Sequence, residues 1–144
     1  MEANWCRHGN IKMDVICDTS FLMVLVSKPI KQIDKIEAYF GKLNFLIPDV
    51  VLSELAHIEH KAGPKRSTIA KTAIEISHSK FNIIEVIKSE HADETIIKYA
   101  VSHKCAAATI DKDLLRRLML RRVVVLTLNK NKLIIVNPQP ENQF

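Results

Sequence analysis

Short runs of apolar residues alternate along the chain with segments in which apolar positions recur every three or four residues. The first pattern is typical of buried β-strands, and the second is typical of helices with one buried face. The strands are expected at residues 13–17, 44–47, 82–87, 105–110, 123–128 and 133–136. The helices are expected at residues 20–26, 30–40, 49–60, 67–78, 92–103 and 112–120, with Asp49 and Ser67 as the N-caps of two of them.

This alternation predicts an α/β fold. Strands that are separated by helices pair in parallel through right-handed crossovers, so the expected architecture is a three-layer α/β/α sandwich. Its central sheet would be mostly parallel, with about five strands, and helices would cover both faces. The chain contains no repeat and no linker, so residues 1–144 are predicted to form one domain, with a core at residues 13–137 and short flexible termini.

Four carboxylates occur where a soluble α/β protein rarely places acidic side chains. Asp18 and Asp111 each follow a buried apolar run, at the carboxyl end of a predicted strand. Glu54 and Asp93 lie on the apolar stripes of two helices, in the first turns after the same edge of the sheet. Because ligands of parallel sheets bind beyond the carboxyl ends of the strands, where strand order reverses, all four acids are expected on one rim.

The chemistry of such a rim favours a divalent metal. Four carboxylates in one place would repel one another, and some would keep protons, unless a cation neutralised them. Mg²⁺ and Mn²⁺ prefer hard oxygen ligands and keep several waters, so about one to three carboxylates per ion suffice. Paired ions of this kind can hydrolyse a phosphodiester. Asp113 either joins this metal site or lies just outside it.

Each acid also has a structural alternative. Asp111 could serve only as the N-cap of the helix that begins at Lys112. Glu54 could border the solvent, and Asp93 could interact with the dipole of its helix. The coincidence of four acids at one predicted rim favours a functional site over four separate structural roles.

Composition excludes several classes of protein. The contents of hydrophobic residues (47%) and charged residues (26%) are those of an ordinary globular domain. The longest apolar run, residues 21–26, is much shorter than the roughly 20 residues of a membrane span, so no membrane association is expected. The N-terminus does not resemble a secretory signal, and we expect a cytoplasmic location. Three cysteines without CxxC spacing support neither a disulfide framework nor a zinc ribbon.

The net charge of +5 is unevenly distributed. Residues 104–132 contain eight Lys or Arg against two Asp, and residues 61–71 form a second basic stretch. Basic surface around an acidic centre favours a polyanionic partner. Only eight residues are aromatic, so contacts to phosphates would outweigh base stacking.

Four segments in register resemble a PIN-domain nuclease. They are residues 15–22 (VICDTSFL), 47–55 (IPDVVLSEL), 92–96 (ADETI) and 108–114 (ATIDKDL), and the resemblance covers residues 13–137. It implies a PIN-like fold and an Mg²⁺- or Mn²⁺-dependent endoribonuclease that leaves a 5′-phosphate and a 3′-hydroxyl. The implied catalytic and metal-binding residues are Asp18, Glu54, Asp93 and Asp111, with supporting hydroxyls at Ser20 and Thr109. The candidates for phosphate contacts with RNA are Lys65, Arg66, Arg116, Arg117, Arg121 and Arg122.

Two features are similar to the PIN branch that processes small-subunit ribosomal RNA. One is the segment 111–118 followed by a hydrophobic strand, and the other is the proline before the helix that carries Glu54. Ile110 stands where that branch usually has Asn or Cys. A toxin of a toxin–antitoxin pair and a non-catalytic RNA-binding scaffold therefore stay open. The corresponding partners are pre-ribosomal RNA, a ribosome-assembly protein, a second copy of the chain in a homodimer, or an antitoxin.

Overall fold

The computed structural model describes residues 12–28, 37–38, 41–87 and 91–137. The strands are β1 (Lys12–Cys17), β2 (Lys42–Pro48), β3 (Asn82–Ile84), β4 (Ala106–Ala108), β5 (Val125–Asn129) and β6 (Lys132–Val136). The helices are α1 (Thr19–Ser27), α2 (Asp49–Lys61), α3 (Pro64–Lys80), α4 (Ala92–His103) and α5 (Lys112–Leu120). None of the helices within these ranges is long and apolar enough to cross a membrane.

One six-stranded sheet runs through the domain in the order β3-β2-β1-β4-β5-β6. Strands β1 to β5 are parallel, and β6 joins β5 through an antiparallel hairpin. Strand β1 is central because Val15 pairs with Phe45 on one side and with Ala106 on the other. The chain leaves β1 towards one half of the sheet and β4 towards the other, so strand order reverses between these two strands.

Helices cover both faces of the sheet. Val15 and Cys17 point into a core that α1, α2 and α3 cover, whereas Ile16 belongs to a second core under α4 and α5. The alternation follows from the period of two in a strand. The three alanines of β4 are all buried, and their small side chains allow helices to pack closely on both faces.

The predicted α/β/α sandwich with a mostly parallel sheet is confirmed, with six strands instead of about five. Three predicted strands are too long at one end or both. β3 stops at Ile84, and Ile87 beyond it is 93% exposed. β4 stops before Thr109, although the backbone N–H of Thr109 still donates to the carbonyl of Leu126 at 3.0 Å. β5 starts at Val125 because a turn occupies the residues before it.

Both predicted N-caps are wrong. Asp49 is the first residue of α2, after Pro48, and its carboxylate accepts a long hydrogen bond of 3.4 Å from the backbone of Val86. Ser67 lies inside α3, and its hydroxyl donates to the carbonyl of Glu59 at 2.6 Å. α3 begins three residues earlier, at Pro64, because the fixed φ of proline suits the first position of a helix. Most of the predicted helix 30–40 lies outside the described residues.

Candidate active site at the carboxyl edge of the sheet

Asp18 stands at the point where strand order reverses. Its backbone N–H donates to the carbonyl of Ala108 at 3.1 Å, which ties the end of β1 to the end of β4. Its carboxylate caps α1, since Oδ1 accepts from the backbone of Phe21 at 2.8 Å and from the hydroxyl of Ser20 at 3.2 Å. Oδ2 accepts from the hydroxyl of Thr109. The side chain is only 9% exposed, so these bonds replace the water that burial removed.

Thr109 connects two of the four acids. It is fully buried just after β4. Its hydroxyl donates to Asp18 and accepts from the backbone N–H of Asp111 at 3.0 Å. Both hydrogen bonds fix the direction of that hydroxyl, so the carboxylate of Asp18 and the backbone of Asp111 are held at a set spacing.

Asp111 is the N-cap of α5. Its Oδ1 accepts from the backbone of Asp113 at 2.8 Å and from that of Leu114 at 3.1 Å. Among the described residues, none donates a hydrogen bond to Oδ2. The capping role of Asp111 therefore uses one oxygen and leaves the other without a donor among the described residues, so a cap and a ligand would be compatible.

Glu54 lies in the second turn of α2 and is exposed. Its neighbours Val51 and Leu55 are buried, so Glu54 borders the apolar stripe of α2 and does not lie on it as predicted. Its Oε1 accepts from the hydroxyl of Thr19 at 2.7 Å, which holds the carboxylate against the first turn of α1.

Asp93 lies in the first turn of α4 and is partly exposed. The guanidinium of Arg117 from α5 lies 3.8 Å from Oδ2 of Asp93 and 2.6 Å from Oε2 of Glu94. This bridge holds the start of α4 against α5. It also places one positive charge beside the acids.

The charges of these acids affect one another across the rim. Burial raises the pKa of Asp18, an effect that the hydrogen bonds from Thr109, Phe21 and Ser20 oppose and that the charge of Asp93 reinforces. Burial also raises the pKa of Asp93.

Asp111, Asp113 and Glu54 raise the pKa of Asp93 further, while Arg117 lowers it. Asp111, Asp113 and Glu54 therefore lie close enough to Asp93 to disfavour its charge, and Asp93 in turn disfavours the charge of Asp18. We call Asp18, Glu54, Asp93, Asp111 and Asp113 the acidic rim.

The acidic rim does not form a closed set of ligands. Within residues 12–28, 37–38, 41–87 and 91–137, no three His, Cys, Asp or Glu side chains are close enough to hold a metal ion together. Each carboxylate instead contacts its own partner. Asp18 contacts Thr109, Glu54 contacts Thr19, and Asp93 contacts Arg117. Asp111 caps the start of α5, and Asp113 contacts Arg116 at 2.5 Å. Like charges favour this spread arrangement. An all-oxygen, carboxylate-rich donor set still fits Mg²⁺ or Mn²⁺.

The candidate phosphate contacts lie at three different places. Arg116 and Arg117 project from α5 and are paired with rim acids or their neighbour Glu94. Arg121 and Arg122 follow the last turn of α5, so about 13 Å of helix separates them from the rim. Lys65 and Arg66 are exposed in the first turn of α3.

The sequence pattern did not single out Thr19 or Glu94. Thr19 is buried beside Asp18, and its contact with Glu54 spans 35 residues of chain. The only sequence signal was a second hydroxyl residue directly after Asp18. Glu94 follows Asp93 and receives the shorter contact from Arg117.

Comparisons with known proteins found one matching family model and similar solved structures. A family model described as "PIN like domain" matches residues 15–131. The structure of the PIN domain endonuclease Utp24 is similar, with 23% identity and a TM-score of 0.66 over 86% of this chain and 91% of that chain. A domain of a functionally unknown protein from Methanocaldococcus jannaschii has 16% identity and a TM-score of 0.57, over 81% of this chain and 91% of that one. No curated protein matches the chain.

Proposed function

This chain belongs to the PIN-like domain family, and we propose that it is a divalent-metal-dependent endoribonuclease that hydrolyses RNA at the acidic rim. The family match supports a nuclease function in general terms. The substrate, the metal and the reaction are our proposal.

The observation that carries the proposal is the burial of Asp18 at the edge of the sheet. A carboxylate that is only 9% exposed, at the reversal point of a parallel sheet, has a raised pKa to which burial and Asp93 contribute. Four further acids lie on α2, α4 and α5, and one of them, Asp93, raises the pKa of Asp18. A protein that needed these acids only for folding would gain by neutralising some of them, because their mutual repulsion opposes the charged state.

We assign the roles of the residues from their contacts. Asp18 is held rigidly by Phe21, Ser20 and Thr109, so it serves as the fixed metal ligand. Asp111 offers Oδ2, the oxygen that does not cap α5. Asp93 completes the ligand set, for which it must leave the long contact with Arg117.

Glu54 binds a metal or orients the attacking water, and the hydroxyl of Thr19 holds it in place. When bound, Mg²⁺ or Mn²⁺ ions would lower the pKa of a water and stabilise the leaving oxygen of the phosphodiester. No histidine or lysine is then needed as a base. The expected products carry a 5′-phosphate and a 3′-hydroxyl.

Cleavage of end-labelled single-stranded and structured RNA with Mn²⁺ tests the proposal. Wild type should cleave, and Asp18→Asn should be slower by about 10²-fold or more, the usual scale for losing a group that stabilises charge in the transition state. Glu75→Gln, an exposed charge change on α3, is the matched control and should cleave like wild type. Equal rates for wild type and Asp18→Asn would refute the proposal.

Within this activity we favour ribosomal RNA processing. The support is the segment that begins at Asp111 and leads through a basic helix into β5, together with Pro48 before the helix of Glu54. A toxin-type ribonuclease would instead arrest growth when expressed without an antitoxin. A non-catalytic scaffold is disfavoured because every acid of the expected quartet is present.

A further inference from the structure

A cavity of about 680 Å³ lies at the amino edge of the sheet, at the opposite end of β1 from Asp18. The starts of β1 and β4 and the residues before β5 line it, together with the C-terminal ends of α4 and α5. A six-residue strand separates the two edges by roughly 20 Å. The cavity is therefore distinct from the acidic rim.

The lining of this cavity is strongly basic. Its charged and ionisable residues are Lys12, Asp14, His103, Lys104, Cys105, Arg121 and Arg122. Four of them are cations at neutral pH, and Asp14 is the one carboxylate among the lining residues. We call this cavity the basic pocket.

Two features argue against catalysis by Asp14 or Cys105 in the basic pocket. The carboxylate of Asp14 accepts a hydrogen bond from the amide of Asn44 at 2.8 Å. Burial and the charge of Asp14 raise the pKa of the Cys105 thiol, which also lines the pocket, to about 11. That thiol is therefore protonated at neutral pH and is a poor nucleophile.

The cations of the pocket differ from those near the rim. Arg116 and Arg117 are both paired with carboxylates. In the part of the chain that the structure describes, Lys104 and Arg121 form no ion pair with a carboxylate. Lys104 and Arg121 therefore offer positive charge to a polyanion at the amino edge of the sheet.

Some cations of the basic pocket could have a structural role at the ends of helices. Lys104 (φ 54°) and Arg122 (φ 62°) are in the left-handed region, where glycine is less strained. Cations at the C-terminal ends of helices also interact favourably with the helix dipole. A purely structural role for these cations therefore has to be separated from a binding role by experiment.

We propose that the basic pocket holds a backbone phosphate of a single-stranded RNA segment whose other part lies at the acidic rim. This inference rests on the proposed function and names a second contact point for the same substrate. Its physical basis is counterion release by the pocket cations, a contribution that does not depend on base sequence.

Helix α5 favours RNA over an acidic peptide as the occupant. It begins at the rim beside Asp111 and ends next to Arg121, and Lys112 and Arg116 are exposed between these points. A polyanion bound at the rim can therefore follow this helix to the pocket. An acidic peptide would have no such reason to bind at both ends of α5.

The distance predicts how RNA length matters. At about 3.4 Å per stacked nucleotide, roughly six nucleotides are needed to connect the two places. Because an unstacked strand extends about twice as far per nucleotide, an RNA must be as short as about two nucleotides to be unable to reach both places, whereas one of about 12 reaches both. Pocket substitutions should therefore weaken the binding of the longer RNA only.

The test is fluorescence anisotropy with labelled RNAs of these two lengths, in EDTA and in an Asp18→Asn background. The test variant is Lys104→Gly with Arg121→Glu, in which glycine suits the left-handed backbone of position 104. Lys80→Glu, an exposed charge reversal on the opposite face of the sheet, is the control. Because binding is measured without turnover, a failed cleavage assay leaves this test intact.

We expect the test variant to bind the longer RNA roughly tenfold more weakly, with the slope of log K against log salt reduced by about 0.7 per lost contact. The short RNA and the control variant should show no change. Equal loss for both RNA lengths, or no loss for either, overturns the inference. Competition by an acidic peptide as effective as the longer RNA would also overturn it. A drop in stability of the test variant with unchanged RNA binding would assign the cations to the helix ends alone.

Discussion

Thr109 shows how much of the site depends on one buried hydroxyl. It donates to Asp18 and accepts from the backbone of Asp111, and it is fully buried. Removing the hydroxyl leaves one carboxylate oxygen and one N–H without these partners. The cost of such a loss is usually about 1–3 kcal/mol.

Thr109→Val should therefore lower the free energy of unfolding by about 1–3 kcal/mol and weaken Mn²⁺ binding. Thr109→Ser keeps the hydroxyl and should retain most of the metal affinity. Urea unfolding and calorimetry measure the two effects. A valine variant that binds Mn²⁺ as well as the serine variant does would show that this hydroxyl only fills space.

Asp18 allows a prediction about pH. Its pKa in the fold is raised, so the folded state holds this proton more tightly than the unfolded state does. As the pH rises above the ordinary value near 3.8, ionisation of Asp18 therefore destabilises the fold until the folded-state pKa is passed. The Asp18→Asn variant would carry no such charge.

In EDTA at neutral pH, Asp18→Asn should be as stable as wild type or more stable, by up to about 1 kcal/mol. The difference should disappear well below the ordinary value of 3.8, where Asp18 is protonated in both states. Urea unfolding at several pH values measures this. A variant that is clearly less stable at neutral pH would make the Asp18 charge a structural necessity.

At this scale the sequence predicted the acids and two hydroxyls, but not Thr19. A residue on the stripe of a helix is identified by its period, whereas the contact of Thr19 with Glu54 depends on how α1 and α2 pack. Sequence periodicity does not reveal contacts between residues that are far apart in the chain. Glu54 was expected to be more buried for the same reason.

Helix α5 is the element in which structure and function are most closely joined. Asp111 caps it through Oδ1, and Arg117 on its next turns binds Asp93 and Glu94. Its predicted bounds, 112–120, are those observed, as are the bounds 92–103 of α4. Both helices have a clear apolar period and acids in their first turns, and these two patterns indicate the same helix start.

The cap and the ligand role of Asp111 can be separated. An asparagine side chain at this position would still accept the two backbone N–H bonds of α5, whereas an alanine side chain would not. Asp111→Asn should keep the stability of wild type, and Asp111→Ala should lose about 1 kcal/mol. Both should lose Mn²⁺ affinity. Thermal unfolding and calorimetry on the pair check this, and an asparagine variant that binds Mn²⁺ normally would leave Asp111 as a cap alone.

The ends of α2 and α3 were harder to predict because two signals competed. Asp49 and Ser67 are common N-cap residues, but Pro48 and Pro64 determine where the helices begin. Proline fixes its own φ whether or not a side chain caps the helix. The choice between them depends on the turn at residues 62–63, which short-range patterns do not define.

The topology of the whole molecule explains why the acids lie along one edge of the sheet. Because β1 and β4 are parallel neighbours at the reversal point, their ends and the helices near them share one edge. That rule was available from the order of strands and helices. The basic pocket was not, because it depends on how the elements pack at the amino edge of the sheet.

Metal binding should therefore stabilise the whole domain. An ion that binds only the folded state adds about 2.7 kcal/mol when its concentration is 100 times its dissociation constant. Mn²⁺ should raise the Tm of wild type, and the increase should be absent in Asp18→Asn. A scan of Tm against Mn²⁺ concentration measures this, and equal increases in both proteins would place the ion elsewhere.

The most direct test of the central claim is a calorimetric titration of Mn²⁺ into wild type, Asp18→Asn and Asp111→Asn, with Glu75→Gln as the control. If the acidic rim is the metal site, wild type and the control bind Mn²⁺ alike near neutral pH, and the binding weakens as acid protonates the ligands. The two rim variants lose most of that binding. Equal binding in all four proteins would contradict the metal site, and with it the proposed nuclease.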